Sequence, residues 1–217
     1  MDTTRCVGTR AGALCALACL SVGWLAACAG RGESSGNLVA NPGAEEGAST
    51  FDASPIDVPG WQVIDGASVV AYGSPDYPSS LHPGPPARGS SFFAGGASSD
   101  ASALTQAIDV SDHAEAIDGG GVVCELSAYL GGWEAQNDAA YVAVGFYAGA
   151  TDLGGRAMIG PVLAQHRGFL TGLLPRSTTT AVPPGTRTIV LGLGFARLEG
   201  TANDGYADDV SVVLHGI

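Results

Sequence analysis

The chain contains no lysine, and its 9 basic residues are all arginine against 21 acidic ones, a formal net charge of −12 over 217 residues. A nucleic-acid partner is excluded on that balance, because neutralising phosphates needs a basic patch. An acidic surface suits a solvated domain and divalent cations. Cysteine is scarce as well. Of 5 cysteines, Cys6, Cys15, Cys19 and Cys28 fall in the first 28 residues, so Cys124 is left alone and the folded part holds no internal disulfide. Cys124 alternates with Val122, Leu126 and Leu130 and reads as a buried apolar residue of a strand rather than a reactive thiol. The chain also lacks any sustained helical periodicity, internal repeat or second composition regime. One β-rich domain follows from those absences.

The catalytic and cofactor fingerprints are missing too. The four histidines, His82, His113, His166 and His215, have no spacing that would hold a transition metal. Gly32-Glu33-Ser34-Ser35-Gly36 spells the nucleophile-elbow motif but lacks the strand before and helix after that the elbow requires. There is no phosphate loop and no dinucleotide motif, and the obvious carboxylate pairs stand at the ends of the chain. The sequence reads as non-enzymatic.

What is present begins with an export signal. Arg5 and Arg10 precede an apolar run from Ala11 to Leu25, too short for a comfortable membrane span. Leu25-Ala26-Ala27-Cys28 resembles the lipobox of bacterial lipoproteins, which implies lipidation of Cys28 and an exported protein anchored to the cell envelope or surface. Ordinary cleavage after Ala29 is the alternative, and either route exports the chain. Residues 1–27 are thus a signal peptide, 28–36 a short polar tether, and 37–217 the folded domain. Acyl chains would be the only hold on the membrane.

Glycine, at 33 residues, is about twice its usual share. With 46% hydrophobic residues this points to a packed, turn-rich sandwich rather than disorder. Strands are predicted over 61–65 and 68–72 as a hairpin, then 91–94, 104–110, 122–130, 141–147, 178–182, 188–195 and 210–214, with a helical turn at 112–117. Alternation puts Val142, Val144 and Phe146 inward, and likewise Ile189, Leu191, Leu193 and Phe195. The segment 73–89 holds five prolines and reads as a long, stiff, extended loop.

The two ends carry a recognisable pattern. Asn41 to Glu45 near the start, Gly60-Trp61, Ser90 to Gly95, Leu104-Thr105-Gln106 and Tyr206 to Val210 at the finish recur in that order. On these residues the chain resembles a galactose-binding-like β-jelly roll, an antiparallel two-sheet sandwich, with the carbohydrate-binding modules of families four, nine and twenty-two as nearest relatives. The resemblance spans nearly all of residues 37–215. Pro42 and Ala44 depart from the glycine and phenylalanine of that pattern, so the first strand is expected to pack differently.

The resemblance implies a structural calcium where first and last strands meet. Parity points the same way: Asp208 shares a face with Val210, Val212 and Leu214 and so should point inward, where a carboxylate is costly unless paired or metal-bound. Glu45 is the expected second ligand, with carbonyls around Asn41 or Gly43. Trp61, after Pro59-Gly60, reads as core.

Sugar rings stack on aromatic faces while their hydroxyls seek amides, carboxylates and guanidinium groups. Two surfaces answer that description. One is a loop edge with Tyr72, Tyr77, His82 and Arg88 from the proline-rich segment and Trp133, Gln136, Asn137 and Asp138 from the turn after Gly131-Gly132. The other is a sheet face with Tyr129, Tyr141 and Tyr147 over Gly192 and Gly194. The leading expectation is a surface-tethered domain that binds carbohydrate, such as an envelope polysaccharide. The alternative is a structural or protein-interaction lipoprotein with the same fold and a protein partner.

Overall fold

The computed structural model describes residues 33–217, so the expected signal peptide and Cys28 lie outside the described residues. Ten strands are joined by short turns and a little helix. They are β1 (Gln62–Ile64), β2 (Ser68–Ala71), β3 (Ser91–Ala94), β4 (Ala101–Asp109), β5 (Val123–Gly132), β6 (Ala139–Ala148), β7 (Thr151–Ile159), β8 (Gly172–Ala181), β9 (Thr188–Ala196) and β10 (Gly205–His215). A 3-10 turn (Ser111–His113) runs into α1 (Ala114–Gly119), and a second 3-10 turn spans Ala164–Arg167. No helix among the described residues is long and apolar enough to cross a membrane.

The strands form two five-stranded sheets in the orders β1-β4-β9-β6-β7 and β2-β3-β10-β5-β8, with every strand pair antiparallel. The predicted jelly-roll sandwich is therefore the observed architecture. Its main core lies between the sheets, where Leu104, Leu126, Leu130, Val142, Phe146, Leu191, Leu193 and Phe195 are buried. Each such side chain contributes about 1.5–3 kcal/mol by leaving water. Trp61 is in this core, edge-on to Phe93 at 5.3 Å, with its indole N–H donated to the Asn41 carbonyl.

Three local expectations are corrected. The predicted hairpin of the first two strands does not form, because β1 pairs with β4 in one sheet and β2 with β3 in the other. An unforeseen strand, β7, crosses Gly154-Gly155 at a sheet edge, where exposure leaves no hydrophobic alternation to read. The proline-rich segment is not extended. It closes on itself through turns at Ser74–Tyr77 and Ser79–His82, held by the Arg88 guanidinium, which donates to the carbonyls of Ser79, His82 and Pro85.

That folded loop covers the outer face of the second sheet and encloses a smaller core of Ala53, Val70, Phe92, Ala94, Leu173 and Tyr206, with Tyr72, Tyr77, Tyr129 and Trp133 packed at its margin. Phe92 is the hub. Its ring centroid lies 4.8 Å from Tyr72, 5.2 Å from Tyr206 and 6.3 Å from Tyr77. At the end of β5 a Cβ on Gly131 would overlap the Gly172 carbonyl, so the glycine permits the close approach of β8 that delivers Trp133 beside this cluster.

The ends are joined mainly by backbone. Ser35 and Leu38 donate to the carbonyls of Leu214 and Val212, Val210 donates to Pro42, and the Asn37 amide bridges Val210 and Val212. The last residues of the expected tether already run along β10, with Ser34 bridged to His215.

Candidate functional site

The outer face of β2-β3-β10-β5-β8 carries two clusters with different chemistry. The first surrounds Asp208, which is fully buried, though not for the reason parity suggests. The register of β10 against β5 shifts between Asp208 and Ser211, and Asp209 sits at φ 48°. Such a bulge reverses the alternation. Asp208 thus lies on the face of Tyr206 and Tyr129, outside the sandwich, beneath Tyr72. The Tyr72 hydroxyl donates to Asp208 Oδ2 at 2.7 Å and the Asp209 N–H to Oδ1 at 2.7 Å. Burial raises the Asp208 carboxyl to about 8; those two hydrogen bonds oppose the shift, and the charges of Asp209 and Glu45 add to it.

The expected calcium ligands are committed elsewhere. Both Glu45 oxygens accept hydrogen bonds at the entry to β3, from the Ser90 N–H, the Ser90 hydroxyl and the Ser91 N–H at 2.8–3.0 Å. The Asn41 side chain closes its own loop, accepting from Glu46 N–H and donating to the carbonyls of Glu46 and Pro59. Among the described residues no three His, Cys, Asp or Glu side chains converge to hold a metal ion. Asn41, Glu45 and Asp208 as arranged do not fit a calcium shell.

Four of the expected sugar contacts are structural in the same way. Tyr72 belongs to the Asp208 cluster, and the Arg88 guanidinium that organises the proline-rich loop stacks over its ring at 5.3 Å. Asp138 is fully buried, and its carboxylate accepts from the N–H groups of Leu198, Glu199 and Asp204 at 2.7–2.9 Å. Asn137 joins the same loops, donating to Glu199 and accepting from the Ala164 N–H. These two side chains pin the loops after β5 and β9 together.

The second cluster is an open groove of about 520 Å³ at the rim of the smaller core, and it keeps Tyr77, Trp133 and Gln136 together. The sequence reading missed its other members. Phe51, 72% exposed, is presented by a segment in which Thr50 pairs with Val69 and Ala71 beside β2. Asp52, Asp76 and Asp204 complete the polar lining. Nothing in the alternation of residues 49–54 marks a strand neighbour, so Phe51 had no periodic signal, and Asp204 falls just before the Tyr206–Val210 motif. Burial pushes the Tyr77 phenol up to about 12, with the charges of Asp204, Asp52 and Asp76 adding to the shift. Burial also raises the Asp204 carboxyl; the Tyr206 hydroxyl, donating to it at 2.7 Å, opposes that, and Asp138 and Asp76 reinforce it. The Gln136 Oε1 is buried without a hydrogen-bond partner.

The other predicted surface splits. Tyr141 and Tyr147 stand on the outer face of β1-β4-β9-β6-β7, where Tyr141 covers Gly194, Tyr147 covers Gly145 and Gly192 is open; Tyr129 lies on the opposite sheet. A further groove, of about 410 Å³, is edged by Leu81, Phe169 and Leu170, all exposed.

No family model matches the chain, and no curated protein does. Solved structures do. A cyclase from Fischerella sp. TAU superposes with a TM-score of 0.55 at 16% identity over 85% of this chain and 98% of its own. The enzymatically active domain of bacteriophage CBA120 tailspike protein 4 superposes with a TM-score of 0.50 at 13% identity over 81% of this chain, which spans 21% of that protein. TmCBM61 in complex with β-1,4-galactotriose aligns at 18% identity over 81% of this chain and 97% of its own, with a TM-score of 0.42. At these identities the likeness is one of fold.

Proposed function

We propose that this is a non-catalytic carbohydrate-binding domain, and that the groove between Phe51, Tyr77 and Trp133 is its binding site. The observation that carries the reading is that aromatic rings from three separate segments, exposed Phe51 and half-buried Tyr77 and Trp133, converge with carboxylates at one rim. Rings in that setting offer flat apolar faces to sugar C–H groups, and the polar groups around them fix orientation. The arginines and apolar run that open the sequence, with Cys28 after Leu25-Ala26-Ala27, support the wider reading of an exported domain held to the envelope by acyl chains. Asn137 and Asp138 serve the site indirectly, by fixing the loop that carries Trp133 and Gln136.

Affinity electrophoresis against a panel of soluble polysaccharides tests this reading. Retention is expected on at least one, and Trp133→Ala should weaken it about tenfold or more, as removal of a central aromatic anchor does. No retention at concentrations that detect millimolar binding would overturn it. A second reading, protein interaction without sugar binding, is favoured by Leu81, which is 93% exposed, standing with exposed Phe169 and Leu170 around one groove. The same panel decides between the two.

A further inference from the structure

A sheet edge presents unpaired backbone donors and acceptors, a template for another strand unless the edge is blunted. Of the four edges of the two sheets, three are blunted. β1 is only 3 residues long. β2 is covered by Thr50, which donates to the Val69 carbonyl and accepts from the Ala71 N–H. β7 carries Gly154 and Gly155 at positive φ, a shift in register against β6, and the Asp152–Arg156 ion pair. The fourth edge, β8, has none of these devices. Its 10 residues pair with β5 in one unbroken register. The Val182 N–H is donated to the Val122 carbonyl, on the β5 side, and the Leu173 N–H away from β5, to Pro83. Alternation along an antiparallel ladder then turns the N–H and C=O of Ser177, Thr179 and Ala181 to the open side. All three residues are exposed, and among the described residues nothing bonds to those groups.

We infer that this edge joins two copies of the chain, β8 pairing antiparallel with β8 of the second copy about a two-fold axis at Thr179. In that register Ser177 faces Ala181 of the second copy and Thr179 faces its own counterpart, so every free N–H meets a free carbonyl. An edge matched by itself in this way selects a second copy over an unrelated strand. Thr178 and Thr180 then stand opposite each other across the join, a favourable cross-strand pair. Charge does not oppose the contact. All 21 acidic residues lie outside residues 153–198, the stretch that contains β8 and also Arg156, Arg167, Arg176, Arg187 and Arg197. The two Arg176 residues are about 20 Å apart along the paired strands, beyond effective repulsion at physiological salt. Ser177 to Ala181 pair with the start of β5, whereas Trp133 follows its end, so the groove stays open in both copies. A repeating polymer then has two points of attachment, a consequence that, unlike the pairing, rests on the saccharide reading.

Sedimentation of the full chain at rising concentration, with amide hydrogen exchange on the same samples, tests the inference. A monomer–dimer equilibrium is expected, and the amides of Ser177, Thr179 and Ala181 should exchange about tenfold more slowly or less as the dimer fills. Thr179→Pro removes an N–H that the monomer does not use, so it should weaken dimerisation about tenfold or more and leave the fold in place. Met158→Lys, exposed on the blunted edge β7, should leave the dimer intact. The exchange measurement stands on the unaltered chain, should the proline variant fail to fold. A chain that remains monomeric into the millimolar range would overturn the inference and leave the edge to a strand of another protein. A dimer in which the three amides exchange as fast as in the monomer would place the contact on another surface and overturn it too.

Discussion

Replacing Asp138 by alanine is expected to cost about 3–5 kcal/mol of folding stability, read as a lower denaturant midpoint at unchanged slope. The carboxylate is wholly inside the protein and receives three backbone N–H groups, from Leu198, Glu199 and Asp204. Those donors lie on the segment between β9 and β10, and a buried N–H that loses its acceptor is costly. Each stranded amide contributes about 1–3 kcal/mol of lost solvation. Asparagine keeps one oxygen and loses the other, so Asp138→Asn should fall between wild type and alanine. Since the same segment carries Asp204 into the groove, saccharide affinity should fall along with stability. A loss below about 1 kcal/mol for the alanine variant would mean that these hydrogen bonds do not hold the loops.

Asp208 should give the protein an unusual pH dependence. Its carboxyl is raised to about 8 in the fold, against an ordinary carboxylate value near 3.8. The folded protein therefore keeps a proton that the unfolded chain has released between those two values. Stability from this group is fully present below about pH 4 and is lost as pH rises towards 8, at a slope of up to about 1.4 kcal/mol per pH unit. Above pH 8 it should level off. Asp208→Asn should flatten the profile and be more stable than wild type at pH 8, since the amide carries no charge to bury and still meets the Tyr72 hydroxyl. A calcium ion on Asp208 would reverse the sign, with stability rising as the carboxylate ionises and falling on chelation. Thermal unfolding at pH 5 and pH 8, with and without a chelator, separates the two: the Asp208 cluster predicts a higher midpoint at pH 5 and no effect of the chelator.

The sandwich was legible because its inner faces follow strict alternation. Val142, Val144 and Phe146, with Ile189, Leu191, Leu193 and Phe195, are all buried as their parity required. Sheet membership was not, since adjacency in sequence suggests a hairpin for β1 and β2 while only long-range pairing decides otherwise. Asp208 shows how far parity reaches. Its burial was foreseen, but one extra residue at Asp209 moved it to the other face, and a bulge leaves no mark in the pattern of apolar residues. The same holds for the site. Tyr77, Trp133 and Gln136 could be nominated as polar-loop aromatics and amides, whereas Asn137 and Asp138, of the same composition, turned out to satisfy backbone donors. Residue type in a loop cannot separate a side chain that serves a ligand from one that serves its neighbour's amide.

The most direct test of the groove follows indole N–H signals by NMR while a bound saccharide is titrated in. Trp133 lies at the groove and Trp61 is buried in the main core with its N–H held by Asn41. The Trp133 signal should shift with saturation at the ligand's affinity while Trp61 stays in place. A saccharide that is retained by the protein yet leaves Trp133 unmoved would contradict the assignment of the site.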